Sequence, residues 1–144
     1  MPIILISILV ALISSYGSSV NIIEPLTFLK IDLGSFQNGY ANFYSIENTY
    51  YIYNEWWRLA SPMFIHFSLT HLVFNCLWIY VLGSKIELYD GHFTFLNLVI
   101  FSSITSNLAQ YFFGGSMLFG GLSGVIYGLL GYCMIIEFEY KKNI

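Results

Sequence analysis

Three residues of this chain combine types and spacing that could do chemistry. Ser123 lies in the run Gly121-Leu-Ser-Gly124, near the start of an apolar stretch, and its hydroxyl could act as a nucleophile. His71 and Asn75 are four residues apart in another apolar stretch, so in a helix they project from one face. A neutral imidazole and an amide both donate hydrogen bonds, and two donors aimed at one point can stabilise an oxyanion. The pattern predicts serine chemistry inside a membrane.

Each of these residues also has a purely structural interpretation. Gly120, Gly124 and Gly128 recur every four residues, a pattern that lets membrane helices approach closely, so Ser123 could be a packing residue among them. The histidine and the asparagine could bond a neighbouring helix or loop. Glycines also let a substrate backbone approach a hydroxyl, so packing and catalysis are compatible interpretations of the serine.

The composition predicts an integral membrane protein with a single all-α domain, a polytopic helix bundle over residues 1–144. The chain is 57% hydrophobic and 9% charged, whereas soluble domains carry about 25% charged residues. The net charge of −3 is small, and no basic stripe suggests a nucleic-acid partner. Cys76 and Cys133 lie in apolar segments and have no metal-ligand spacing, so we expect packing residues and neither a metal nor a cofactor.

Apolar segments separated by polar connectors predict four membrane-spanning helices, at about residues 2–20, 63–82, 93–113 and 117–136. The first segment could instead be a signal peptide, because small residues follow it, but its start has no Lys or Arg, which favours a retained helix. The long loop at about residues 21–61 is rich in Tyr and Trp, which favour the membrane interface.

Basic residues predict the orientation of the spans. Lys85 and the lysines that follow the fourth span fall on one side of a four-span bundle, which the positive-inside rule places in the cytoplasm. The loop at 21–61 is then external. His71 and Ser123 lie in the outer halves of their spans, at a similar depth of about 10 Å for a rise of about 1.5 Å per residue.

Other residues near these positions complete the candidate site. Tyr127 is four residues after Ser123 and shares its face, so its ring either lines the site or packs. His66 precedes His71 by five residues and lies close to the loop. Trp57 and the adjacent Arg58 combine an aromatic ring and a cation, a pair suited to anchoring at the interface.

Taken together and in this order, these motifs resemble the rhomboid family of intramembrane serine proteases, especially its bacterial members. The resemblance runs from about Glu55 to Tyr132, more than half of the chain. It implies a six-helix membrane fold, of which this sequence would hold four helices, with transmembrane proteins as substrates, the lipid bilayer as surroundings and the bacterial inner membrane as location. The residues that carry it are Trp57-Arg58, His66, His71, Asn75, Gly121-Leu-Ser-Gly124 and Tyr127.

The resemblance also implies a role for each matching residue. Ser123 corresponds to the nucleophile, and His71, Asn75 and the backbone N–H of Ser123 correspond to the oxyanion hole. His66 corresponds to an additional polar residue near the mouth of the cavity. Tyr127 corresponds to the ring against which the catalytic histidine of the family packs.

The remaining matches are structural or line the site. By the same resemblance, Trp57 and Arg58 fix the first loop in the bilayer interface. Gly121 lines the site, and Gly124 and Gly128 serve helix packing.

The chain departs from the family in its catalytic base. The family uses a Ser–His dyad whose histidine comes from the sixth span, and a serine hydroxyl is a poor nucleophile unless a neighbour takes its proton. The three histidines here are His66, His71 and His92; the first two match other roles, and the third falls on the cytoplasmic side. We therefore expect a C-terminally incomplete protease, from a fragment or an interrupted reading frame, that is inactive alone.

Two other functions compete with this interpretation. A non-catalytic rhomboid-like protein that binds membrane helices would explain the missing base, but it would not need the serine and the oxyanion residues. A small channel or transporter subunit would be expected to have charged or broken helices along a path. The second to fourth predicted spans contain neither, apart from their histidines.

Overall fold

The computed structural model describes residues 1–37 and 40–142, which form a predominantly helical fold. The all-α class is confirmed, with one small hairpin added. The elements are α1 (Pro2–Ile13), α2 (Val20–Ile23), β1 (Ile31–Gln37), β2 (Tyr40–Phe43), α3 (Leu69–Asp90), α4 (His92–Phe113) and α5 (Ser123–Lys142). Shorter turns of 3₁₀ helix cover Glu24–Leu26, Trp56–Leu59 and Ser61–Phe64, and a π turn covers Asn48–Ile52.

Helix α1 is shorter than the predicted segment 2–20. It starts with Pro2, whose missing N–H is tolerated in the first turn, and it ends at Ile13. Ser15, Tyr16 and Gly17 follow with φ of 50°, 54° and 78°. This left-handed backbone cannot continue a right-handed helix, so the chain turns there.

The predicted long loop 21–61 is largely ordered by hydrogen bonds. Strands β1 and β2 pair antiparallel, with Ile31 opposite Phe43 and Asp32 opposite Asn42. The segment between the hairpin and α3 is built from the π turn and two of the 3₁₀ turns. The interleaved aromatic residues predict a loop at the membrane interface, whereas the structure forms an antiparallel hairpin in part of this segment.

Helix α3 begins and ends later than the predicted span 63–82. Its N-cap is Ser68, whose hydroxyl accepts a hydrogen bond from the backbone N–H of His71 at 3.2 Å, so the helix starts at Leu69. It continues to Asp90, and only Gly91 separates it from α4. Gly91 has φ of +89°, which lets the backbone reverse in one residue.

The other two boundaries can be compared in the same way. Helix α4 (His92–Phe113) agrees with the predicted 93–113, whereas α5 starts at Ser123 rather than at 117. Among the described residues, α3 alone is both long and apolar enough to cross a bilayer, and α1 is apolar but shorter. The number of four membrane spans therefore stays a prediction.

Helix α5 packs against both α3 and α4, and their contact forms the larger apolar core. Ile79 and Ile86 of α3, Val99 of α4, and Val125 and Leu129 of α5 are buried there. Within a bilayer, such contacts are stabilised mainly by close van der Waals packing, because lipid tails are as apolar as these side chains.

Glycines of α5 set how closely this helix approaches α4. A Cβ added at Gly128 would lie 2.5 Å from the Cβ of Ser102, and one added at Gly124 would overlap the side chain of Ser106. A Cβ added at Gly131 would meet nothing within 4 Å. The close approach therefore depends on the first two glycines and not on the third.

We expect Gly128→Ala to destabilise the fold and Gly131→Ala to leave it unchanged or more stable. Overpacking typically costs about 1–3 kcal/mol, whereas replacing an unconstrained helical glycine by alanine gains up to about 1 kcal/mol. Unfolding of both variants in detergent micelles, followed by circular dichroism, measures the difference. Equal effects of the two substitutions would contradict the close helix approach.

Candidate functional site

The backbone of Gly121 is where the histidine and the asparagine of α3 meet the serine segment. Gly121 has φ of +117°, and its N–H donates to the carbonyl of Pro62 at 3.0 Å. A Cβ at this position would lie 2.7 Å from Cε1 and Nε2 of His71 and 3.5 Å from Nδ2 of Asn75. Both the conformation and the space therefore require glycine.

Asn75 has an unpaired hydrogen-bond donor at this point. The residue is 5% exposed, and its Nδ2 atom has no partner among the described residues. His71, one turn earlier on α3, is half-buried and presents its ring to the same glycine. An unpaired buried amide is unfavourable in the resting protein, but it is available to a substrate oxygen.

Ser123 is the first residue of α5 and lies between two cavities. One, of about 290 Å³, is bounded by Asn75, Trp78 and Tyr127 among others. The other, of about 230 Å³, is more polar and includes Ser106. The first N–H groups of a helix have no partner within the helix, and the helix dipole favours negative charge there. The backbone N–H groups at Ser123 are thus suited to binding an anion.

Tyr127 lines both cavities, as its spacing from Ser123 predicts. Its side chain is 74% exposed, so the described residues do not cover its ring. The packing interpretation of this residue, as a filler of the core between helices, therefore does not apply in this structure.

His66 occupies a different place from the one that the family resemblance implies. It is fully buried rather than at the mouth of a cavity. Its Nδ1 lies 3.2 Å from the carbonyl oxygen of Phe64, and its ring centroid lies 5.0 Å from that of His71. Its Nε2 has no partner among the residues described.

No histidine in the described part of the chain is bonded to Ser123. His92 is exposed at the far end of α3, where Nδ1 lies 2.7 Å from Oε1 of Glu87. His66 bonds Phe64. His71 faces Gly121. The structure brings together Ser123, His71, Asn75 and Tyr127, but it does not place an imidazole beside the serine hydroxyl as a base.

Arg58 and Trp57, which are adjacent in sequence, point in different directions. Trp57 is exposed and donates from Nε1 to the carbonyl of Pro25 at 2.9 Å. Arg58 is 1% exposed, and its guanidinium contacts the side chain and carbonyl of Glu24 and the side chain of Glu55. The arginine therefore stabilises the loop from within through buried ion pairs. The tryptophan is the residue of the two that is exposed and could lie at the membrane interface.

Sequence reasoning missed the carboxylates of this ion network. Glu24 lies 2.7 Å from Nη2 of Arg58, and Glu55 lies 2.5 Å from its Nε. Lys30 bonds Glu55 at 2.7 Å, so two cations and two anions share the cluster. The spacing of three residues between Glu55 and Arg58 was a local signal for one ion pair. The pairs Arg58–Glu24 and Lys30–Glu55 join residues distant in sequence and could not be read from spacing.

The segment after Arg58 is bonded to α4 and to the site. The side chain of Asn107 donates to the carbonyl of Leu59 at 2.8 Å, and the hydroxyl of Ser103 donates to that of Ala60 at 2.9 Å. The carbonyl of Pro62 then accepts from Gly121. The backbone that follows the buried arginine is thus bonded to α4 at two residues and to the glycine of the site at a third.

Comparison with known proteins identifies the family of this chain. The family model of the Rhomboid domain matches residues 53–144, more than half of the chain. The chain therefore belongs to the rhomboid family.

Relatives named rhomboid protease GlpG match a similar part of the chain. The protein of Serratia proteamaculans is 46% identical over 83 residues, which cover 58% of this chain and 30% of that protein. Those of Yersinia pestis and Yersinia pseudotuberculosis are 45% identical over 80 residues, 56% of this chain and 28% of theirs. The chain thus spans about a third of the length of the relatives it matches.

The stability of the loop is expected to fall in acid because of Glu55. Burial raises the pKa of its carboxyl, but hydrogen bonds from Lys30 and Arg58 outweigh burial and hold the pKa below the ordinary value of 4.5. A carboxyl whose pKa is lower in the folded state stabilises the fold above the unfolded-state pKa. That stabilisation is lost as the pH falls below about 4.5 and through the folded-state pKa.

Unfolding in micelles between pH 3 and 7, followed by tryptophan fluorescence, measures this effect. Glu55→Gln is expected to be less stable at neutral pH and to have a flatter pH dependence. Glu47→Gln, at an exposed glutamate of the same loop, is the control and should keep the original dependence. An unchanged profile in Glu55→Gln would exclude Glu55 as a source of the acid sensitivity.

Proposed function

We propose that this chain carries the nucleophile and the oxyanion hole of a serine-type intramembrane endopeptidase. The observation that carries the proposal is the contact of Gly121 with the ring of His71 and the amide of Asn75, two residues before Ser123. Membership of the rhomboid family and the similarity to proteins named rhomboid proteases support the same reaction. Proposed substrates are transmembrane proteins, cleaved in or near the bilayer of the bacterial inner membrane.

In the proposed reaction, Ser123 gives its hydroxyl proton to a base, which later passes it to the leaving amine, and Oγ attacks the carbonyl carbon of the scissile peptide bond. The carbonyl oxygen becomes an oxyanion, which accepts hydrogen bonds from the His71 ring, Nδ2 of Asn75 and the backbone N–H of Ser123. The C–N bond then breaks, the amine leaves with a proton, and water hydrolyses the acyl-enzyme. These donors are preorganised because Gly121 and the N-terminus of α5 fix their places before the substrate arrives.

The proposed base is a histidine that these 144 residues do not supply. Nδ1 of His66 bonds the carbonyl of Phe64, Nδ1 of His92 lies against Glu87, and His71 serves the oxyanion. The exposed ring of Tyr127 offers a surface on which an incoming imidazole could pack, one helical turn from Ser123.

The alternative is a rhomboid-like membrane protein that binds helices without cutting them. The absence of an imidazole beside Ser123 in the described part of the chain favours it. It gives no reason for a buried, unpaired Nδ2 on Asn75 at the same glycine. A serine-directed fluorophosphonate distinguishes the two, because labelling of Ser123 requires an activated hydroxyl.

We expect the 144-residue chain alone to show no cleavage of a transmembrane model substrate. Among the described residues, no histidine is bonded to the hydroxyl of Ser123 to take its proton. Joining the chain to the C-terminal segment of the Serratia relative, which by family resemblance carries the catalytic histidine, should restore cleavage and fluorophosphonate labelling. Cleavage by the chain alone would disprove the proposal that the base is missing. A joined protein that shows neither cleavage nor labelling would favour the alternative, a membrane protein that binds helices without cutting them.

In the joined protein, Ser123→Ala is expected to abolish cleavage while leaving the fold nearly intact. His71→Ala or Asn75→Ala is expected to lower turnover by about 10²–10³, the usual effect of losing one oxyanion donor. Rates of substrate cleavage in proteoliposomes measure these effects. Asn97→Ala, at an exposed asparagine of α4, is the control. Activity that survives Ser123→Ala would exclude this residue as the nucleophile.

A further inference from the structure

His66 is buried in one defined protonation state. Its Nδ1 lies 3.2 Å from the carbonyl oxygen of Phe64, and only an N–H can bond a carbonyl, so Nδ1 carries a proton. The side chain is fully buried and no carboxylate of residues 1–37 and 40–142 is bonded to it, which favours the neutral imidazole. Nε2 is then an acceptor, and it has no partner among the described residues.

The orientation of His71 depends on packing rather than on hydrogen bonds of its ring. In residues 1–37 and 40–142, the hydrogen bond found for His71 is that of its backbone N–H to Ser68. Its ring lies between that of His66, with centroids 5.0 Å apart and planes at 57°, and the backbone of Gly121. These two neighbours limit how the imidazole can rotate.

We propose that His66 is a positioning residue, whose ring, fixed by its hydrogen bond to Phe64, holds the imidazole of His71 against Gly121. The inference rests on the proposed function, because it concerns the donor that would stabilise the oxyanion.

The expected effect is on the rate of the chemical step. A misplacement of about 1 Å can lower the rate of a catalysed reaction by about 10²-fold. Removal of the His66 ring is therefore expected to lower kcat by about 10- to 100-fold in the joined protein, with KM changed little, because the oxyanion forms only after the substrate is bound.

Three variants of His66 separate the ring contact from the hydrogen bond. His66→Phe keeps a ring beside His71 but cannot donate to Phe64. His66→Asn can still donate to Phe64 but has no ring. His66→Ala has neither. His92→Ala, at an exposed histidine far from the site, is the control.

The first measurement uses the 144-residue chain and does not depend on activity. In wild type, nuclear Overhauser effects are expected between the ring protons of His71 and the α protons of Gly121, because the two groups are in contact. They should persist in His66→Phe and His92→Ala and weaken in His66→Asn and His66→Ala. Their persistence in folded His66→Ala would overturn the proposal.

The second measurement is kcat and KM in the joined protein, with thermal stability measured in parallel. His66→Phe should be at least as stable as wild type and retain most of kcat, whereas His66→Ala and His66→Asn should lose kcat per folded molecule. If the loss of kcat in these variants is fully explained by a smaller fraction of folded protein, His66 is only a structural residue and the inference is overturned. Activity in Ser123→Ala would instead disprove the proposed function, so the two failures are distinguishable.

Discussion

The buried guanidinium of Arg58 is the interaction on which the arrangement of the site depends. An arginine removed from water must have its charge paired and its N–H groups bonded, and Glu24, Glu55 and Thr27 provide this. Removal of the cation would leave two carboxylates in the same enclosed place, with Lys30 as the one other cation that the described residues pair with them. The network therefore fixes the backbone after Arg58, whose carbonyls bond both α4 and Gly121.

The second constraint is the close approach of α4 and α5, which places the start of α5 beside α3. Gly124 and Gly128 have no side chains at the contact, so Ser106 and Ser102 of α4 lie directly against the backbone of α5. Helix α5 also packs on α3. The segment that precedes α5 contacts the ring of His71 at Gly121. The ion network of the loop and the contact of α4 with α5 thus both fix the position of Gly121. This explains how a residue outside the helices is positioned accurately.

The sequence predicted the parts of the site that follow from local spacing. The one-turn spacing of His71 and Asn75, the position of Tyr127 one turn from Ser123, and the helical class all follow from a period of 3.6 residues. The helix ends were less well predicted, because hydropathy does not register the Ser68 cap or a left-handed turn at Ser15. The burial of His66 and the bonds from Arg58 to Glu24 and Thr27 depend on contacts distant in sequence, which no local pattern encodes.

The unpaired polar atoms at the site are best understood through what they do for a substrate. Nδ2 of Asn75 and Nε2 of His66 are buried without partners in the described part of the chain, and each is unfavourable in a folded protein. Within an apolar helix bundle such groups are more costly still, so they would be expected where a reaction uses them. The amide donor serves the oxyanion directly, whereas the histidine acts through the ring of His71. A protein that only bound helices would gain stability from an apolar residue in place of Asn75, so the unpaired amide of Asn75 favours catalysis over binding.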